Sequence, residues 1–495
     1  MYRLISILLI TLSLISSCSS PKVPTKGVSD VQGAPALVPD YTGIVIPPNI
    51  APLNFDVDIQ GDEYVARVSA PDGYEIVASG NPVQWPAGEW HKLLEKSKGK
   101  ELKYEVYVRN GEAWSRYRFS NTVAEEDIDP YISYRLIEPS YVQYAGITLN
   151  QRDLTSFDES VIFNNASPCD ERRGQCMNCH VPRNHYKDRA SMFHIRKNNG
   201  GTIIMAGDSV VKVNLKTDST LSAGVYPAWH PTLDLIAFST NNTNQKFFSF
   251  GDAKVEVYDT ESDLILYDMK TGEVTHIAND PSLLETFPAW SPDGKELYYS
   301  VARYPEGVTP NNLPEHYKDI RYDIVRRSFD SASRRFSDPD TVVYASAAGE
   351  SALLPRVSPD GRFLLYCKAP YGTFHIWHKE SDLWIKNLKT GEEYALANAN
   401  SADTDSYHTW SSNGRWIVFS SRRDDGSYTR PYFSYIDADG HDSKAFVIPQ
   451  EDPAYNKELM KSYNVPEFLV SPVEVSRPDI LRQVLAPARR ASFHP

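Results

Sequence analysis

A pattern that recurs four times between residues 226 and 423 limits the folds open to this chain. The copies begin Tyr226-Pro-Ala-Trp-His-Pro, Phe287-Pro-Ala-Trp-Ser-Pro-Asp-Gly, Leu354-Pro-Arg-Val-Ser-Pro-Asp-Gly and Tyr407-His-Thr-Trp-Ser-Ser-Asn-Gly. Each continues into an apolar run such as Leu297-Tyr-Tyr-Ser or Trp416-Ile-Val-Phe-Ser. Strand, tight turn, strand is the simplest reading, with Gly294, Gly361 and Gly414 supplying positive φ at the turns. The second halves also match: Asp263-Leu-Ile-Leu-Tyr-Asp-Met-Lys-Thr-Gly-Glu and Asp382-Leu-Trp-Ile-Lys-Asn-Leu-Lys-Thr-Gly-Glu are near copies. Four-strand units in series are propeller blades. Residues 191–215 read as a fifth blade. A sixth is expected from residues 130–165 or from the C-terminal segment. Closure must be non-local, because an open ring leaves backbone donors unpaired at its edge.

The remaining chain divides by composition. Leu4 to Ile15 is an apolar run behind Arg3, as in an export signal, and Leu14-Ile-Ser-Ser-Cys18 looks like a bacterial lipobox. The expected segments are a signal at 1–17 and a Pro-rich tether at 18–50 anchored by a lipid on Cys18. A small β-sandwich follows at 51–125, then a cysteine-bearing segment at 126–200, the propeller at 201–450 and a C-terminal segment at 451–495. Alternation on both sides of Asn110-Gly111 marks a hairpin in the sandwich, and Trp90 to Leu94 a short helix. The fold class is thus mainly β. A formal charge of −13 argues against nucleic acid as a partner.

The chemistry sits in Cys176-Met177-Asn178-Cys179-His180. On one helical turn Cys176 and Cys179 share a face and can reach two vinyl groups of one porphyrin, with His180 brought to the iron. The reading is one covalent haem c with His180 as proximal metal ligand. Met192 and His194 are the candidates for the sixth position, and either reads equally as a core residue. On a strand they share one face and Phe193 takes the other. Three alternatives stay open: a redox-active disulfide, a structural disulfide, and zinc held with Cys169 and a histidine. Cys169 and Cys367 either pair or remain buried thiols. His375-Ile-Trp-His378 lacks the further ligands a metal needs, and Arg422-Arg-Asp-Asp425 reads as a solvated hairpin. No P-loop, G-x-S-x-G or paired-carboxylate motif stands out, which favours an electron carrier or binding protein over an enzyme.

The Ser-Pro-Asp-Gly copies resemble the propeller repeats of the TolB family over residues 226–423. That resemblance implies a six-bladed ring used for protein contacts. Together with C-x-x-C-H, residues 125–465 resemble a family of exported TolB-like propeller lipoproteins described as cytochrome c-like or linked to cytochrome c biogenesis. Ser19 and Ser20 after Cys18, with no aspartate there, resemble a signal for sorting to the outer membrane, so an outer-membrane lipoprotein facing the periplasm is expected. Its partner would be a redox protein, or an envelope protein docked on a non-catalytic scaffold. A haem oxidoreductase would need a second cofactor, for which no ligand set is visible.

Overall fold

The computed structural model describes residues 21–138, 146–167, 174–249 and 254–495. Cys18 and Cys169 lie outside the described residues.

Six four-stranded blades form the ring. Blade one is Gln175–Pro182, Ala190–Lys197, Gly201–Ala206 and Ser209–Asn214. Blade two is Val225–Trp229, Leu235–Phe247, Val255–Asp268 and Glu273–Ala278. Blades three, four and five begin with Leu283–Trp290, Ser351–Val357 and Asp405–Trp410. Blade six is built from both ends of the chain. Its inner strand, Ser462–Leu469, pairs antiparallel with Tyr131–Ile137, which is followed by Thr148–Asp153 and Glu159–Asn164. Both expected sources of the sixth blade therefore contribute, and the ring closes non-locally. The segment expected to stand apart at 126–200 is not separate: its strands are the outer part of blade six and the first two strands of blade one.

One local device repeats in all six inner strands. Each has a register shift, at Asn178/Val181, Val225/Ala228, Thr286/Ala289, Leu353/Arg356, Ser406/Thr409 and Asn464/Glu467. Within each shift one residue has positive φ: Cys179, Tyr226, Phe287, Leu354, Tyr407 and Val465, all between 48° and 58°. This is a β-bulge, which leaves a residue out of the ladder and turns it away from the sheet plane. The next residue is Pro227, Pro288, Pro355 or Pro466 in four blades and His180 or His408 in two. Proline suits the place because a bulged residue need not donate to the ladder.

The repeat residues also weld neighbouring blades. The indole N–H groups of Trp229, Trp290 and Trp410 donate to the carbonyls of Val181, Ala228 and Arg356 on the preceding blade, at 3.2, 3.2 and 3.1 Å. In the turns, the Ser291 and Ser358 hydroxyls donate to Asp293 and Asp360, and Ser411 donates to Asn413. Gly294 has φ +71°, and a Cβ there would stand 2.5 Å from the His230 ring.

The N-terminal part centres on one sheet, ordered Val28–Asp30, Ala113–Val123, Glu101–Asn110, Glu63–Ser69, Glu75–Ser79. Its covering layer is a strand pair, Leu37–Val38 with Asp56–Val57, and the helix Ala87–Lys96, rather than a second full sheet. Trp85, Trp90, Leu93, Val68 and Val106 are buried together between them. This part is tied to blade five, where the Trp416 indole donates to Glu126 O at 3.1 Å and Lys444 meets Asp40 at 2.7 Å.

The C-terminal residues wrap the outside. Helix Arg477–Leu485 packs on blade one, and the buried Lys212 ammonium donates to Val484 O and Ala486 O at the helix end, at 2.8 and 3.1 Å. Arg489–Arg490 and Ser492–Phe493 then add as parallel strands to the outer edges of blades one and two.

Trp410→Phe keeps the ring's apolar bulk but removes the indole donor to blade four. It should cost about 1–2 kcal/mol in urea unfolding, with the slope unchanged.

Candidate functional site

The six bulges face a common axis and line a channel. At mid-depth it holds a cavity of about 90 Å³ bounded by Cys179, His180, Tyr226, Phe287, Leu354 and Tyr407, among others. Toward the starts of the inner strands it widens to a mouth of about 170 Å³. At the other end a wider opening of about 350 Å³ is ringed by Trp229, Trp290 and Trp410.

Cys176 to His180 thus form an inner strand, not the expected helical turn. The strand is fixed by pairing with Ala190–Lys197: Cys176 lies opposite Arg196, Met177 opposite Ile195 and Asn178 opposite His194. Cys176, Cys179 and Cys367 are free thiols. Cys179 lines the mid-channel and the mouth, whereas Cys176 lines neither. Burial pushes the Cys176 thiol up. His180 is 3% exposed and meets the Ser133 backbone, and among the described residues no side chain hydrogen-bonds to its ring. Burial first, and then the Arg135 charge, lowers its pKa to about 3, so it is a neutral imidazole.

The candidate sixth ligands lie elsewhere. Met192 is fully buried between blades one and two, with Val181, Ile204 and Trp229. His194 holds its Nδ1 at 3.1 Å from Thr202 Oγ1 and lines a different recess with Lys197, Gly200 and Asn241. Phe193 points the other way, against Phe163. Neither Met192 nor His194 shares a cavity with His180.

This arrangement differs from the helical turn on which the haem reading rests, and the bulge at Cys179 interrupts the regular strand spacing. Along a regular strand three residues advance about 10 Å, against about 4.5 Å on a helix, so the strand does not reproduce the i, i+3 face that places two thiols together on a helix. Cys176 and Cys179 also open to different surroundings, and the space beside His180 is small. Among the described residues no group of three or more His, Cys, Asp or Glu side chains is placed to hold a metal ion. Cys367 Sγ lies 3.4 Å from His375 Nδ1, and His378 Nε2 lies 3.1 Å from Glu256, all of them buried.

The channel also gathers residues that sequence reasoning left out. Arg135, on blade six, donates to Met177 O at 3.0 Å, to Asn178 Oδ1 at 2.9 Å and to Asn464 Oδ1. It ties Tyr131–Ile137, Gln175–Pro182 and Ser462–Leu469 at one point. Arg356 meets the buried Glu467 at 3.0 Å. Arg422, expected in a solvated hairpin, is 6% exposed, with its guanidinium 4.0 Å from the centre of the Trp377 ring. The missed signal was a faint one: Asn178-Cys-His and Asn464-Val-Pro are the two remaining copies of the bulge, each preceded by an asparagine that receives Arg135.

No protein-family profile matches the sequence, and no curated protein is similar to it. Among solved structures the chain is similar to TolB from Acinetobacter baumannii, with 13% identity, 77% of this chain and 84% of that one covered, and a TM-score of 0.41. A putative TolB from Agrobacterium tumefaciens is similar at 15% identity, covering 65% of this chain and 92% of that one, with a TM-score of 0.37. A puromycin-hydrolyzing peptidase of Mycobacterium tuberculosis gives 10% identity, 69% and 44% coverage and a TM-score of 0.36. The class of the protein, a six-bladed β-propeller with an attached β-domain, rests on the blades themselves and not on these likenesses.

His408, the other histidine at a bulge, donates its Nε2–H to Leu354 O, 2.8 Å away, and burial lowers its pKa from 6.5 to about 3. The unfolded chain takes up this proton below about pH 6.5 and the folded chain does not, so stability is lost as pH falls through that window. In His408→Gln the drop in unfolding free energy between about pH 7 and about pH 5 should shrink by about 2 kcal/mol, read from urea melts at both values.

Proposed function

We propose that this chain is a non-catalytic binding protein of the cell envelope, held at a membrane through Cys18 and docking a partner protein at the mouth face of its propeller. One observation carries this reading. Blade two sends a hairpin beyond the ring, formed by the 13-residue strand Leu235–Phe247 and the 14-residue strand Val255–Asp268. Its stem walls the mouth through Thr243, Gln245, Val255 and Val257. Near its far end Phe247 is 62% exposed and Phe248 37%. The hairpin is braced: Tyr258 stacks on Tyr317 at 5.6 Å, and the Lys246 ammonium lies 4.6 Å from the Tyr317 ring centre. Exposed aromatic side chains on a braced support do nothing for the core, and anchors of this type dominate protein interfaces. The resemblance of the repeats to TolB propellers points the same way.

A photo-crosslinking residue at Asn244 should give a discrete adduct in intact cells. Phe247→Ser with Phe248→Ser should abolish that adduct while leaving thermal unfolding within about 0.5 kcal/mol of wild type. An adduct unchanged by the double variant would overturn the docking reading.

A second reading is the electron carrier with haem c on Cys176 and Cys179. What favours it is His180, a buried neutral imidazole lining the channel next to Cys179. The strand geometry and small cavity oppose it, because the inner strand of blade one would have to leave the wall. Protein from a host with cytochrome c maturation should therefore show no haem stain on a denaturing gel, and both thiols should take up maleimide once unfolded. A stain that disappears in Cys179→Ala would reverse the order of the two readings.

A further inference from the structure

The channel mouth joins two properties seldom found in one small cavity: buried and half-buried guanidinium groups and apolar side chains. Arg135, Arg196 and Arg422 all line it, and among the described residues no Asp or Glu does. This occurs in a chain whose formal charge is −13. Arg135 is 8% exposed; its bonds go to neutral amide oxygens, and its Nε has no partner. Arg196 makes no ion pair with a described residue. The carboxylate that acts on its charge, Asp259, is already engaged: Asn241 Nδ2 donates to it at 2.7 Å and Thr243 Oγ1 at 2.6 Å. The lining also includes the apolar side chains of Val255, Val257, Phe374 and Ile376.

Guanidinium groups pair with carboxylates and phosphates in fork geometry, and desolvation strengthens the pairing. The apolar side chains select a ligand with a hydrocarbon part. At about 170 Å³ the space is below the usual range for drug-sized ligands. We propose that the channel mouth binds a small carboxylate bearing a short apolar chain, with Arg196 and Arg135 on the carboxylate and the chain against Val255, Val257 and Ile376. The site shares Val255 and Val257 with the stem of the docking hairpin, but its ligand binding does not need a protein partner.

The test is calorimetry on the intact chain, with Trp fluorescence reporting on Trp377 beneath Arg422. The probes are acetate, butyrate and hexanoate, with hexanol and inorganic phosphate as controls. Saturable hexanoate binding is expected, tightening about fourfold per methylene along the series. Affinity should fall at least about tenfold in Arg196→Gln. Should that variant fold poorly, wild type still tests the idea, because added salt should weaken hexanoate binding and leave any hexanol signal unchanged. The proposal is overturned if hexanoate does not saturate below about 10 mM, if phosphate binds as tightly as hexanoate, or if hexanol does.

Discussion

A propeller is only as sound as the seam that closes it. Here the seam is the ladder between Ser462–Leu469 and Tyr131–Ile137, strands more than three hundred residues apart in sequence. Without it, one inner strand and one outer triplet would each expose a full row of backbone donors and acceptors. Arg135 reinforces the seam from within. Its guanidinium reaches the inner strands of blades six and one at once, so a single side chain bridges the last inner strand to the first. The channel's composition follows from this closure, because Arg135, Asn178, Cys179 and Asn464 meet only when the ring is complete.

The bulges explain why chemistry collects on the axis. A regular strand would alternate its side chains between the two faces of a blade. The positive-φ residue breaks that alternation once per blade, and its successor is presented to the axis. In four blades that successor is proline, which closes the space without polar demands. Blades one and five hold His180 and His408 instead; both imidazoles are buried, and His180 lines the channel. His408 finds Leu354 O, and His180 meets the Ser133 backbone. Cys179 lies where the other blades carry an aromatic or aliphatic residue, so its thiol is a lining residue of the channel.

The legible part of the sequence was the part with turn chemistry. Blades two to five announced themselves because Asp-Gly and Asn-Gly turns, and tryptophans that bond to a neighbouring carbonyl, recur at matching places. Non-local closure was also foreseeable, since no ring tolerates a free edge. The inner strands of blades one and six were hidden because Met-Asn-Cys-His-Val-Pro and Tyr-Asn-Val-Pro-Glu-Phe lack both signals. Cys176 to His180 is compatible with a helical turn or with a bulged strand, and local spacing alone favours the former. The choice is made by pairing with Ala190–Lys197, a tertiary fact. Arg422 was misplaced for a related reason. Within a run of four charges it looks solvated, but the fold lays it over Trp377 at the channel mouth.

The two short strands near the C-terminus have a consequence for how the protein behaves in a crowded compartment. Arg489–Arg490 and Ser492–Phe493 occupy the outermost hydrogen-bonding rows of blades one and two. At Val213–Asn214 and Glu273–Val274 a foreign β-segment meets an edge already paired, whereas the outer rows of the other blades have no such cover from this tail. Self-association through edge-to-edge sheet extension is therefore confined to part of the circumference.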